Sequence, residues 1–566
     1  FDVKGGCTLK EISLSSVGGE ALSGSFKMVK DGNGAFTGEM QAQETAPALT
    51  FSFGDGLVLD ESNPLPVYIA IPYGTYSKGI RAILTSSEDE VMILTFFSEG
   101  KEVKSSKVLH FEEVVNFVPG ADGADYIYDE EDLANLEYSV NSKAYIMEDI
   151  TLSGDWQVIP AYNGVIDGLD HTLTASGALF NQTSDGGEMT IKNLNLTSAS
   201  GAVGPFINVS AGEIALESCS LSDMTDIPVK MTGGSLRISD CSFVGNCTGV
   251  NKASAVSMTG GNMDVSGTVF KNNGSTSANS SSVISLGNPC KGSLVTLRDC
   301  VFDSNKSKGA SNGVMVMVAQ FAGTLYMTNC VVAGNVNNRY GIIHQSANTA
   351  ATGDTESFIG INNCLFYDNY GTASNADGCN ISIAGRHLIM NSTFVNTADH
   401  KSIMNLRCGA LEMSGISVGG AKSSVIVNNI FKNDFANTNC FDAGAANKYY
   451  QTLIGYNRYN KGFNAAYGGV KFDANDINAD TAGAYNPDGY LWTWTPSEED
   501  KGAMLSSDIE TYVAGKTDAS FSDYVTSYFT WLKSQDFGSR NALEVDLYGN
   551  VRDKSEYWPG CYQANR

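Results

Sequence analysis

A chain of 566 residues with a formal net charge of −26 and no basic run would repel nucleic acid and anionic lipid surfaces, so neither is expected as a partner. Sixty glycines, 17% charged residues and abundant Ser, Thr, Asn and Val exclude a helical bundle and point to β-structure with many turns. The twelve cysteines include no C-x-x-C pair, which removes a zinc ribbon and a thioredoxin-like site; no apolar run reaches the roughly 18 residues of a membrane-spanning helix, so no transmembrane segment is expected.

In chain order, residues 1–118 show alternating strands, "LKEISLSS", "LTFSFG", "PVYIAIP", "GIRAILTSS" and "VMILTFF", divided by Gly, Asp and Pro turns. This predicts an antiparallel β-sandwich. The first residue is Phe1 rather than Met, which reads as a mature or trimmed chain without its export signal or lipid anchor. Residues 119–144 are expected to be a linker and a capping helix. Within them "DEEDLANLEYSV" (129–140) opens on acidic residues and carries Leu133, Leu136 and Val140 at helical spacing.

From 145 to 435 a motif recurs, clearest in "LRDCVFDSN" (297–305). Aligned on Phe302 it gives the anchors Leu152, Leu173, Leu196, Leu221, Phe243, Phe270, Phe302, Val332, Phe366, Phe394 and Phe431, 21 to 37 residues apart. Two before the anchor stand Cys219, Cys241, Thr268, Cys300, Cys330, Cys364 and Ser392, on the anchor's face of a strand. Five and seven before it the residues are again apolar, as at Leu297 and Val295 or Ile238 and Leu236. The inward phase shifts by an odd number between these two strands, so the chain must bend three before the anchor. There it places Asp149, Asp170, Asn193, Ser218, Asp240, Gly267, Asp299, Asn329, Asn363, Asn391 and Asn428. Asn, Asp and Gly adopt left-handed backbone angles most readily, so the column predicts a repeated sharp corner.

A third strand precedes many of these pairs, as in "VKMTGG" before "SLRISDCSF". Three strands and three corners per turn predict an all-β protein whose main body is a right-handed parallel β-helix. A leucine-rich horseshoe, which "LRDCVFDSN" also fits, would need a helical return segment that these β-rich stretches do not supply. The cysteine column reads as small buried hydrophobes with inert thiols, a disulfide between stacked coils being the alternative. Residues 436–566, rich in Tyr and Trp, are expected to form the C-terminal cap with surface additions.

"VYIAIPYGTYSKGIRAILTSSEDEVM" (67–92) resembles the fimbrillin-like domains of Bacteroides-type surface proteins. The C-x-F-x-x-N coils, the opening "VIDGLDHTL" and the closing "DLYGNVR…GCYQ" resemble the pectate-lyase-like β-helix proteins secreted by the same organisms. In their closing signature, D-x-x-G-x-x-R followed by G-A-Y-E, Cys561 and Gln563 here replace Ala and Glu. The resemblance implies export and lipid anchoring at the cell surface. It implies a fold more than an activity.

Hydrolases of this fold need paired Asp residues, often with G-H-G, and no G-H-G is present. Of the nearest cluster, Asp167 to His171, the register makes Asp170 a corner residue and points His171 inward. Lyases of the fold need a basic residue beside carboxylates that hold calcium. The exterior charges Lys192, Arg237, Asp264 and Arg298 read as scattered over different coils and columns. The best remaining cluster is Arg339, Tyr340 and His344, then Asp354 and Glu356, then Arg386 a coil later, as candidate glycan contacts; His387 beside them takes an inward apolar slot. An outward apolar stripe, Val269, Val301, Val331 and Leu365, reads either as β-propensity alone or as a surface covered by a loop, the C-terminal segment or a partner.

The leading expectation is a non-enzymatic surface adhesin that binds an extracellular glycan or a host or cell-surface component, with no cofactor or metal. The competing expectation is a polysaccharide lyase or glycoside hydrolase acting on an acidic glycan along one face of the β-helix, to which calcium would belong.

Overall fold

A computed structural model describes the chain except residues 31–35, 47, 97–99, 105–113, 119, 121–122, 137–138, 161, 249–253, 276–282, 287–291, 308–315, 320–322, 338–341, 347–357, 372–379, 384–385, 398–410, 414–422, 435–440, 444–450, 461–475, 479–480, 482, 496–503, 506, 512–518, 553–556 and 563–566. It forms two compact units, Phe1–Ala124 and Asp125–Arg566.

In the first unit, Ala48–Val58, Thr8–Ser16, Ile80–Ser86 and Val91–Phe96 make a four-stranded antiparallel sheet in that order. Asp2–Gly5 pairs parallel with Val114–Phe117 and antiparallel with Leu65–Pro66. Alternation in these strands sends Leu9, Ile12, Leu14, Ala82 and Leu84 into one core with Val3, Tyr76 and Phe117. "PVYIAIP" alternates equally well, yet only Leu65–Pro66 is strand there, and Tyr68 is exposed. Val67, Ile69 and Ile71 still alternate inward against the core, so the stretch keeps the facing of a strand without the ladder.

The second unit is a parallel β-helix, whose right hand follows from the crossover rule. Most of its strands fall into three parallel sheets of 13, 13 and 11 strands, with a two-stranded parallel sheet, Val336–Asn337 with Tyr370–Gly371, and a hairpin beside them. Sheet I runs from Asp125–Ile127 to Gln451–Gly455, sheet II from Ile150–Thr151 to Ile477–Asn478, and sheet III from Ile159–Pro160 to Phe441–Ala443. The stack thus begins before residue 145 and continues past 435. Thirteen strands spaced about 4.8 Å apart span roughly 58 Å. Helix α1 (Glu130–Asn135) is capped by the Asp129 side chain, which accepts from the N–H groups of Glu131 and Asp132. Leu133 and Leu136 join the β-helix core, whereas Val140, expected on the same face, lies beyond the helix and is 97% exposed.

The corner column is left-handed at Asp170, Asn193, Ser218, Asp240, Gly267, Asp299, Asn329, Asn363, Asn391 and Asn428, with φ between 50° and 71°. Tyr456 (φ 60°) adds a further corner three before Tyr459, which pairs with Phe431. Asp149 is not left-handed: in the first coil Ile150, not Leu152, pairs with Leu173. A slip of two residues keeps the same face inward, so alternation alone does not separate the two registers.

Phe243, Phe270 and Phe302 stack with ring centroids 4.9 Å apart, and Phe366, Phe394 and Phe431 at 4.7 and 5.1 Å. The cysteines of the column are free and buried. They are also donors: Cys300 and Cys330 Sγ each reach the carbonyl two residues back at 3.2 Å. Thr268 and Ser392 hydroxyls make the same bond at 2.9 Å, and the Asn429 amide does so as well. Most of these carbonyls already accept a backbone N–H from the preceding coil, as Arg298 does from Gly267 at 3.0 Å and Ser266 from Asp240 at 3.0 Å, so the slot adds a second donor to the carbonyl's other lone pair, and Cys, Thr, Ser and Asn can each supply it.

Burial pushes the Asp299 carboxyl up to about 6, with Asp240 adding to the rise and Arg298 opposing it. A raised folded-state pKa gives stability that is fully present below the ordinary carboxylate value and is lost as pH rises through about 6. Asp299→Asn keeps the left-handed preference and removes the buried charge. With 37% of the side chain exposed, solvent screening reduces the gain expected at neutral pH to about 1 kcal/mol. Urea unfolding of both proteins should show that gain at neutral pH and none near pH 4; an equal gain at both would contradict this account.

Candidate functional site

The outer face of sheet I changes character along the rod. One outward column reads, in register, Thr190, Ala215, Arg237, Asp264, Thr296, Tyr326, Gly360, Leu388 and Val425. From Tyr326 onward it is apolar and covered by helix α2 (Ala519–Ser534), whose Phe521, Val525, Tyr528, Phe529 and Leu532 bury Phe358, Leu388, Met390, Val425 and Val427. Gly360 leaves room for this: a Cβ there would lie 2.7 Å from the Tyr528 ring.

Sheet II is covered too. Val331, Leu365, Val395 and Ile430 pack against Trp492, Trp494 and Trp558, with Val301 at the edge. From Val301 to Leu365 the apolar stripe is therefore covered by the C-terminal segment, while the half-buried Val269 lies outside that cluster. Trp492 and Trp494 belong to the hairpin Gly483–Asn486/Leu491–Trp494. Arg552 helps clamp this segment, its buried guanidinium donating to Asn363 Oδ1 at 2.5 Å and to the Gly560 carbonyl at 2.9 Å. Asp546 accepts from the N–H groups of Tyr548 and Asn550, both at 2.8 Å. The D-x-x-G-x-x-R signature thus acts as a latch along the rod's flank.

Where the polar and covered parts of sheet I meet lies a groove of about 350 Å³, lined by Glu213, Ser235, Arg237, Asn262, Asp264, Leu294, Thr296, Trp531 and Gln535. Arg237 pairs with Glu213 at 3.1 Å. The Thr296 hydroxyl donates to Asp264, and Asn262 Oδ1 accepts from the Leu294 N–H at 2.9 Å. The half-buried Trp531 stands 5.4 Å from the Tyr326 ring and forms the wall on the α2 side. Polar donors and acceptors beside one aromatic face suit a hydroxylated ligand whose rings carry apolar C–H faces.

Of the expected contacts, Arg339, Tyr340, Asp354 and Glu356 lie outside the described residues. His344 lies on the sheet III strand Ile343–Ser346, in register with Met317 and Ser382. Arg386 lies on sheet I, is 8% exposed and holds its guanidinium 5.7 Å from the Tyr524 ring of α2. His344 and Arg386 therefore stand on different faces. His387 occupies the inward column after Ile359 and is 2% exposed.

His171 departs from its expected inward packing: its Nδ1 lies 3.4 Å from Asp149 Oδ1 and a third of the side chain is exposed. The Asp149 carboxylate gives the imidazole a polar partner that the apolar slot would deny it. Asp167 is structural, accepting from the Leu169 N–H and the Asn193 amide beside Lys192 at 3.3 Å. The exterior charges are also less scattered than expected. Arg298 pairs with its neighbour Asp299, but Arg237 and Asp264 are register partners in one column and both line the groove. Reading the position six before each anchor as one column would have found that pair. Nothing in the repeat points to Trp531.

Among the described residues no group of three or more His, Cys, Asp and Glu side chains is placed to hold a metal ion, and no helix is long and apolar enough to cross a membrane. The architecture defines the class, a parallel β-helix protein carrying an antiparallel β-sandwich unit. No protein-family model and no curated protein matches the chain.

Proposed function

We propose that this is an exported, surface-displayed glycan-binding protein that uses its β-helix as a rod and the sheet I groove as its sugar site. The observation that carries the reading is the meeting of a polar outward column, Arg237, Asp264 and Thr296, with the aromatic wall of Trp531. Binding is favoured over catalysis because the groove's charged groups are engaged with protein partners, Arg237 with Glu213 and Asp264 with Thr296. The fimbrillin-like and pectate-lyase-like sequence resemblances support export and surface display.

The second reading, a polysaccharide lyase or hydrolase, draws on the carboxylates of Glu213 and Asp264 on either side of Arg237. Screening the full chain against arrayed neutral and anionic glycans tests the proposal, with product release assayed on every glycan bound. Saturable binding without cleavage is expected. Cleavage would establish the enzyme, and binding to no glycan would sink both readings.

A further inference from the structure

We infer that the groove takes a neutral glycan and holds it by a chain end, the terminal sugar standing against Trp531 while the chain runs along the rod toward the strand Glu188–Lys192. This rests on the glycan-binding reading and goes beyond it in naming the ligand's charge and polarity.

Neutrality follows from the charges. Arg237, the groove's only cation among its described lining residues, is already paired with Glu213, and Asp264 leaves the lining with an excess negative charge. The chain as a whole carries −26. A uronate or sulfated sugar would meet repulsion at short range and at long range. A neutral sugar needs only hydroxyl contacts to carboxylates, amides and hydroxyls, and the lining offers these in Asp264, Asn262, Ser235 and Gln535.

The chain end follows from the way the face closes. On the strand after Thr296 the outward position is Tyr326, which lies under Trp531 and Tyr528 at ring distances of 5.4 and 4.9 Å. The next outward residues of that column, Gly360, Leu388 and Val425, lie beneath or against α2. A chain running parallel to the rod therefore cannot continue past Trp531. In the other direction the outward residues Glu213, Thr190 and Glu188 are half-exposed or exposed. From the strand of Thr296 back to that of Glu213 is three strand steps, about 14 Å, room for a short run of sugar units.

The test is titration of the full chain by calorimetry with cello-, manno- and xylo-oligosaccharides of increasing length, with the same sugars carrying a bulky group on one end, on the other or on both, and with oligogalacturonides. The expected result is binding of a neutral series with affinity that levels off after a few sugars, loss of about tenfold or more on blocking one particular end, and little change on blocking the other. Trp531→Ala and the gentler Asp264→Asn should each weaken binding about tenfold, Asp264→Asn at unchanged circular dichroism and melting temperature and Trp531→Ala at unchanged circular dichroism. Equal affinity with both ends blocked would show a chain crossing the groove mid-length and overturn the inference while leaving glycan binding intact. Preference for the oligogalacturonides would do the same. Binding unaffected by both substitutions would move the site elsewhere on the rod. Failure to bind any glycan would instead remove the reading on which the inference rests.

Discussion

Asn305→Ala is expected to destabilise the β-helix by about 4 kcal/mol, because one small side chain completes four buried polar groups. Its Nδ2 donates to the Phe270 carbonyl and to Asn335 Oδ1, both at 2.9 Å. Its Oδ1 accepts from the backbone N–H and the side-chain amide of Asn273, both at 3.0 Å. The same arrangement runs through Asn246, Asn273, Asn305, Asn335 and Asn369, one per coil, all buried. Alanine removes the partner and admits no water, so each stranded group costs about 1–3 kcal/mol, partly recovered by relaxation. Denaturant unfolding should show the loss. Since coils contact only their neighbours, hydrogen exchange should rise most at Phe243–Phe302 and less toward the ends of the rod. A loss below 1 kcal/mol would mean that the ladder is not a principal source of rigidity.

Tyr528→Ala is expected to undock α2 rather than unfold the protein. The ring is fully buried between the helix and the bare backbone of Gly360, its centroid 4.9 Å from Tyr326 and 6.0 Å from Phe358. Its hydroxyl donates to the Met327 carbonyl at 2.8 Å. Removing a buried aromatic costs about 3–5 kcal/mol, a large share of what one surface helix contributes. Because the helix lies on the flank of sheet I, the cost falls on a local opening. Amide exchange should therefore speed up across 519–534 while the strands Glu213–Glu217 to Leu294–Arg298 keep their protection, and glycan binding should fall with the loss of the Trp531 wall. Unchanged protection of α2 would contradict the role given to this residue.

These two residues differ in how visible they were. Asn305 belongs to a pattern repeated coil after coil, and its place at a strand end could be read from spacing, although not its bond to the next Asn. The corner residues were legible for the same reason: left-handed angles favour Asn, Asp and Gly, and Asp299 holds φ 54° as expected. Where repetition failed, reading failed with it. The first coil slipped by two residues because no second copy constrained it. "PVYIAIP" imitated a strand because alternation reports only which side faces the core, as Val67, Ile69 and Ile71 do, and not whether a ladder partner is present. The cysteines looked like plain hydrophobes because the carbonyl lone pair each thiol reaches is placed beside it only once the bend is built.

The β-helix was determined by the sequence itself. Each coil repeats the same local instructions, a strand, a left-handed corner and an inward anchor, and each satisfies its neighbour, so the pattern and the contacts share one period. The groove was decided only in three dimensions. Its floor comes from strands between residues 213 and 296, and its wall from Trp531, more than two hundred residues later in the chain. What joins them is the fit of an apolar helix face to apolar outward positions at Tyr326, Phe358 and Leu388. Burial of that kind is non-directional and leaves no periodic mark, so neither segment alone announces its partner.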